Sequence, residues 1–278
     1  MANAAPSLTL NNGVAIPQLG LGVFLIPPDE TATAVATALD AGYRLIDTAQ
    51  GYQNEEGVGE AIARSEVPRE DIFVTTKLVN GQHGYDRALA GFDASVKRLG
   101  LDVIDLFLIH WPLPMFDQYV DTWRAFEQLL GDGRVRSIGV SNFKIEHLER
   151  LADETDITPA VNQVELHPQF PQEELRRYHD AHGIVTESWG PLGQNRGLLD
   201  DARVAELAEK KGRTPAQVVL RWHIQIGNVV IPKSVTPHRI RENIDVFDFE
   251  LDDVDMETFT DLNVGRRLGP DPNEFDLV

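Results

Sequence analysis

Short apolar runs of strand length recur along the chain and alternate with stretches of helical period. The runs are LGVF (21–24), YRLID (43–47), IFVTTK (72–77), VIDLFLIH (103–110), VRSIGVS (135–141), AVNQVE (160–165), IVTESW (184–189) and VVIPK (229–233). Amphipathic spacing predicts helices over 29–40, 54–64, 86–99, 119–130, 145–153, 172–181 and 201–211. A further periodic stretch runs from Pro215 to Ile226, and a last helical piece opens near Pro237. Asp29 and Glu30 enrich one first turn, and Gly42 and Gly100 follow helices where a left-handed cap is wanted. Ahead of all this, Asn-Gly separates SLTL from VAIPQLG, a hairpin signal.

Eight strands alternating with helices predict a parallel α/β architecture. A doubly wound dinucleotide fold would carry a third glycine after its first strand. Here Gly20-Leu21-Gly22 is followed by Val23, Phe24 and Leu25. A closed barrel is therefore expected: a single (β/α)8 TIM barrel domain over residues 1–278, with the N-terminal β-hairpin closing its bottom. Composition adds exclusions. A net charge of −19 argues against nucleic acid and anionic membranes as partners. The lack of cysteine excludes disulfides and thiolate chemistry. The start MANAAPSLTL lacks a basic leader, and no apolar run approaches the ~20 residues of a membrane span. A cytoplasmic protein is the expectation.

In such barrels the chemistry lies at the carboxyl ends of the strands. Those ends carry Asp47 with Tyr52 just beyond, Lys77, His110, Ser141 with Asn142, Gln163 with Glu165, Trp189, and Lys233 with Ser234. For any one position, a satisfied polar residue at a loop start is the simpler reading. That reading weakens when every strand end agrees, because ionisable groups ending buried strands are costly unless they pair or do chemistry.

The stretches GYRLIDTAQGYQNEEGVGEAI (42–62), DIFVTTKL (71–78), DLFLIHWP (105–112), SIGVSNF (137–143), PAVNQVELHP (159–168) and IPKSVTPHRIRENIDVFDFEL (231–251) resemble the aldo-keto reductase family. The resemblance runs from about residue 8 to residue 251, and SWGPLGQ with the short tail is most similar to bacterial members of the 2,5-diketogluconate reductase type. It implies a catalytic tetrad of Asp47, Tyr52, Lys77 and His110. Chemistry supports those roles. Hydride addition to a carbonyl leaves an oxyanion that needs a proton, and a free phenol with pKa about 10 is a weak donor at neutral pH. Lys77 is expected to lower the pKa of Tyr52, Asp47 to keep the lysine charged, and His110 to orient the carbonyl oxygen.

The resemblance further implies NADPH lying across the barrel mouth. Ser141, Asn142 and Gln163 would meet its carboxamide and Trp189 would stack on the nicotinamide. Gly190, Leu192 and Gln194 would follow the pyrophosphate, with Val23 and Val235 completing the cofactor set. Lys233, Ser234 and Arg239 would hold the 2'-phosphate, with Glu242 and Asn243 on the adenine side. That basic cluster in an acidic chain favours NADPH over NADH, because guanidinium suits phosphate. Arg241 reads equally well as an exposed helix face.

Phe24, Val79 and Trp111 are expected to wall the substrate pocket. Many relatives carry tryptophan where this chain has Val79, so a wider pocket is expected. Residues 80–85 read as a mobile loop, and the short tail after Leu251 as leaving an open site for small carbonyls. The remaining histidines read as surface or packing residues, and no metal is expected. The function implied is reduction of aldehydes, ketoaldehydes or keto-sugars such as 2,5-diketogluconate by a monomer. A cofactor-binding regulatory barrel and a barrel isomerase or lyase are the alternatives.

Overall fold

The computed structural model describes residues 5–277. Residues 1–4, part of the segment read above as lacking a leader, and Val278 lie outside the described residues. Strands β1 (Ser7–Thr9) and β2 (Ala15–Pro17) pair antiparallel around the Asn-Gly turn. Eight parallel strands follow: β3 (Leu21–Gly22), β4 (Leu45–Asp47), β5 (Phe73–Leu78), β6 (Ile104–Ile109), β7 (Val135–Ser141), β8 (Val161–Glu165), β9 (Val185–Trp189) and β10 (Val229–Val230). Each pairs with its neighbour in sequence. The first and last also meet, through parallel bridges Leu19–Val230 and Gly22–Lys233. Gly20 N–H donates to Val230 O at 2.9 Å and Val230 N–H to Gln18 O at 3.0 Å. The sheet is thus a closed (β/α)8 barrel, as the alternation predicts.

The outer layer comprises α1 (Pro28–Ala41), α2 (Glu55–Arg64), α3 (Tyr85–Leu99), α4 (Tyr119–Gly131), α5 (Ile145–Glu154), α6 (Glu173–His182), α7 (Ala202–Lys211), α8 (Pro215–Gln225), α9 (Pro237–Ile244) and α10 (Asp253–Thr260). Gly42 and Gly100 take left-handed conformations, φ 105° and 64°, where α1 and α3 end. Helix α10 lies beyond the elements that periodicity predicts. It starts from a reciprocal cap between Asp252 and Asp255 within the acidic run LDDVDMET.

Two apolar cores result. One lies between sheet and helices, with Val35, Phe92, Phe107 and Trp123 fully buried. The other fills the barrel, where Leu45, Phe73, Leu106, Leu108, Val161 and Val229 pack on Leu10 and Ile16 of the hairpin. Asn11 Nδ2 donates to Pro159 O at 3.1 Å and Asn12 Nδ2 to Arg136 O at 2.9 Å. The hairpin therefore seals the amino ends of the strands and leaves only the carboxyl ends accessible.

Helices α2 and α3 approach closely at Gly59. A Cβ there would stand 2.1 Å from Leu99 O, a backbone atom with little freedom to yield. Gly59→Ala is expected to destabilise the fold by about 1–3 kcal/mol. A thermal melt indistinguishable from that of the unsubstituted chain would show that the two helices part at no cost.

Candidate active site

The barrel register brings four chemically distinct side chains to one mouth. Asp47 ends β4 and Lys77 lies near the end of β5. Lys77 Nζ donates to Asp47 Oδ1 at 2.6 Å, to Thr48 O at 2.9 Å and to Tyr52 Oη at 3.4 Å. Both charged groups are essentially excluded from solvent, at 0% and 2% side-chain exposure. Tyr52 closes a 3-10 turn, Gln50–Tyr52. That turn is pinned by Gln50, whose Nε2 donates to Gly91 O at 2.7 Å and Ser95 Oγ at 2.8 Å and whose Oε1 accepts from Val79 N–H at 2.9 Å. His110, directly after β6, meets Tyr52 edge-on with ring centroids 5.7 Å apart.

Burial sets the electrostatics, and it changes one expectation. Burial raises the pKa of the Tyr52 phenol, and the Lys77 charge pulls it down by less, so the net direction is upward rather than downward. The sequence shows that an ammonium is near but not how much water is removed. Burial lowers the pKa of Lys77, but Asp47 and then Tyr52 raise it further, so the lysine stays charged. Asp47 is pushed up by burial and pulled back in part by Lys77 and then Gln163, with the net direction upward. Burial, followed by the Lys77 charge, lowers His110 to about 3. Its imidazole is therefore neutral at physiological pH and suited to hydrogen bonding rather than acid catalysis.

The cofactor-side residues lie on the later strands. Ser141 Oγ donates to Gln163 O at 2.8 Å. Asn142, left-handed at φ 63°, donates to His110 O at 2.9 Å and accepts from Trp189 Nε1 at 2.8 Å. It thereby links the ends of β6, β7 and β9. Gln163 is buried, and its Nε2 donates to Asp47 Oδ2 at 2.7 Å. Gly190 takes φ 62°, and Leu192 and Gln194 belong to the tight loop after β9. Val23 departs from the rest. Its side chain is fully buried in the outer core, so only its backbone, bonded to Asp47 O at 3.0 Å, reaches the strand end.

Ahead of and along α9, Lys233, Val235 and Arg239 are exposed, while Ser234 and Asn243 are buried. Glu242 accepts from Thr214 Oγ1 at 2.8 Å. Lys233 and Arg239 form no ion pair with a described carboxylate, although the chain carries 44 acidic residues. Two uncommitted cations beside a strand end suit a phosphate, and Gln163, Ser141 and Asn142 suit a neutral amide. This donor set fits a nicotinamide dinucleotide phosphate. Arg241 reaches back to Pro237 O at 3.3 Å on the exposed helix face.

The residues expected to wall the substrate pocket lie around the Tyr52 turn and the end of β6. Phe24 lies 4.9 Å from Tyr52 between ring centroids, and Val79 flanks the Tyr52 turn. Trp111 packs on Phe275 of the tail at 4.2 Å. The tail does not leave the mouth open. Leu268 and Gly269 N–H groups donate to Glu165 at 2.6 and 2.7 Å, and Lys144 pairs with Asp271 at 2.6 Å. Asn80 Nδ2 donates to Leu277 O at 2.7 Å, which draws the chain end across one side of the rim. Residues 80–85 also differ from a mobile loop. They start in a 3-10 turn, Asn80–Gln82, with Asn80 and His83 buried and Gly84 N–H bonded to Thr122 Oγ1 at 2.8 Å.

One buried residue of this site escapes sequence reading: Glu187, inside β9. Its Oε2 accepts from Gln163 Nε2 at 2.9 Å, and it has no solvent exposure. Its signal is positional, since it lies two residues before Trp189 and so shares the inward face of the strand. Among the described residues no cluster of potential ligands could hold a metal ion, and no helix is long and apolar enough to cross a membrane.

Comparison with known proteins matches residues 18–264 to the Aldo/keto reductase family. An aldo-keto reductase of Mycolicibacterium smegmatis is 59% identical over 274 residues, covering 99% of each chain. Methylglyoxal reductase DkgA of Escherichia coli K12 is 51% identical, covering 96% of this chain and 97% of its own. Among solved structures, a mutant of Gox0644 in complex with NADPH superposes with a TM-score of 0.94 at 50% identity, covering 98% of this chain and 99% of its own. The chain belongs to the aldo/keto reductase family and is an oxidoreductase.

Proposed function

We propose that the chain is an NADPH-dependent reductase of aldehyde and ketone carbonyls, with small ketoaldehydes, aldehydes and keto-sugars such as 2,5-diketogluconate as its substrates. The observation that carries this reading is the buried chain Asp47–Lys77–Tyr52, at 2.6 and 3.4 Å, with the neutral His110 ring beside the phenol. Support comes from the Gox0644 structure solved with NADPH and from the E. coli relative named for methylglyoxal.

A bound NADPH supplies the hydride. Ser141, Asn142 and Gln163 would hold its amide end, Trp189 would cover the ring, and Lys233, Ser234 and Arg239 would hold its 2'-phosphate. His110 donates a hydrogen bond to the substrate oxygen and so aims the carbonyl carbon. As that oxygen becomes an alkoxide, Tyr52 gives it a proton. Lys77 stabilises the phenolate that remains, and Asp47 keeps Lys77 charged and in place. Tyr52 then regains a proton from solvent. Phe24, Val79 and Trp111 form the apolar walls that face the rest of the substrate. The enzyme acts as a cytoplasmic monomer in this reading, which chromatographic sizing of the purified protein tests as regards its oligomeric state.

Arg239→Ala tests the choice of cofactor. The dissociation constant for NADPH is expected to rise roughly 10- to 100-fold, the weight of one charge-assisted hydrogen-bond pair. Binding of NADH should hardly change. Equal losses for the two cofactors, followed by tryptophan fluorescence quenching, would remove Arg239 from the 2'-phosphate site.

A further inference from the structure

Glu187 is a buried acid that the reaction above does not use. We propose that it is a positioning residue: together with Asp47 it fixes the Gln163 amide, and its ionisation sets how tightly the Lys77–Tyr52 pair holds the proton that Tyr52 donates. This rests on the reductase reading of the same site.

The geometry comes first. Gln163 Nε2 lies 2.7 Å from Asp47 Oδ2 and 2.9 Å from Glu187 Oε2. An amide nitrogen has two hydrogens, and both are taken. Turning the amide over would set its oxygen against two carboxyl groups, so the NH2 end is fixed inward. The four residues β4 Asp47, β5 Lys77, β8 Gln163 and β9 Glu187 thus form one continuous buried chain, 2.6 to 2.9 Å at each link, and Lys77 extends it to Tyr52 at 3.4 Å. The other Glu187 oxygen is buried with no partner among the described residues, and so is Thr75 Oγ1, whose backbone pairs with Asp47.

Every group facing Glu187 bears on its charge. Asp47 repels a second anion, while Lys77 and the Gln163 amide attract one. Its register partners on the adjacent strands, Gln163 and Val229, do not titrate. Burial, and then the charge on Asp47, raises the acid to about 8. At neutral pH it is mostly the neutral acid, and it gains charge as pH rises through that value. The gained charge raises the proton affinity of both Tyr52 and Lys77. Carbonyl reduction needs the proton on Tyr52 and is sustained at alkaline pH. The reverse oxidation needs the phenolate and is held back.

The test compares wild type with E187Q, using NADPH and methylglyoxal for reduction, and NADP+ with the corresponding alcohol for oxidation. The infrared difference spectrum of the two proteins without cofactor should show a protonated carboxyl band that vanishes as pH rises through about 8. Through the same range, the E187Q-to-wild-type rate ratio for oxidation should climb by several fold. Absence of the band at neutral pH, or a ratio that stays flat with pH, overturns the proposal, since a purely structural role would give a loss independent of pH. E187L carries the same comparison if E187Q does not fold. A wild type that binds NADPH but turns over no carbonyl defeats the reductase reading instead, and the infrared band still reports on Glu187.

Discussion

Tyr52→Phe is expected to lower kcat for carbonyl reduction by roughly 10²–10⁴-fold, the range set by loss of a positioned general acid. The substitution removes one oxygen. Lys77 still pairs with Asp47 at 2.6 Å, and the ring still packs against Phe24 and His110. NADPH affinity should therefore stay within about twofold, because the amide and phosphate contacts proposed above belong to other residues. The upward net shift of the phenol makes the expectation sharper. Burial outweighs Lys77, so Tyr52 keeps its proton in the resting protein, and as the proposed acid it would give it up only when negative charge develops beside it. Stopped-flow measurement of single-turnover NADPH oxidation separates the chemical step from product release. Unchanged turnover in this variant would assign the acid to another group, and His110, lowered to about 3, could not take that place as an imidazolium.

Lys77→Met is expected to be the most damaging change to stability, by about 3–5 kcal/mol, because it strands a buried carboxylate. Asp47 would retain Gln163 as a donor but lose the ammonium, with the second acid Glu187 on the same amide. Its pKa in the folded state would then rise further above the unfolded value. The penalty should consequently be small in acid and grow as pH climbs above the ordinary carboxylate range. Adding Asp47→Asn to Lys77→Met should recover part of the loss without restoring turnover. Denaturant melts at several pH values check this, and a single variant as stable as wild type at neutral pH would mean the pair is not truly desolvated.

Much of this site is legible in the sequence because a barrel sends its chemistry to strand ends. Asp47, Lys77 and His110 interrupt apolar runs at the positions where β4, β5 and β6 stop. The hairpin was equally visible, since Asn-Gly fixes its turn and the barrel interior supplies the cover for Leu10 and Ile16. Other features depend on contacts that pattern does not encode. Glu187 sits within IVTESW among other polar residues, and only the inward face it shares with Trp189 marks it. The tail is held by backbone N–H groups on Glu165 and by Phe275 against Trp111, neither of which a polar, proline-containing segment announces. Helix α10 begins in an acidic run whose only signal is the reciprocal cap of Asp252 and Asp255. The pull of Lys77 on the Tyr52 phenol is legible, but the net upward direction is not, because sequence shows the cation and not the desolvation.

The tail also changes how the pocket should be read. The small Val79 side chain flanks the Tyr52 turn on one side, while Phe275 and the segment up to Leu277 cover another. Under the proposed reductase reading, substrate range is expected to follow that balance rather than tail length alone.

The most direct test of the account is NADPH consumption by the wild-type protein on a panel of carbonyls, with methylglyoxal, a simple aldehyde and 2,5-diketogluconate among them. Stoichiometric conversion of NADPH and carbonyl to NADP+ and alcohol, faster with NADPH than with NADH, is the predicted result. Tight NADPH binding with no turnover on any member of the panel would contradict it and leave a regulatory, cofactor-binding barrel in its place.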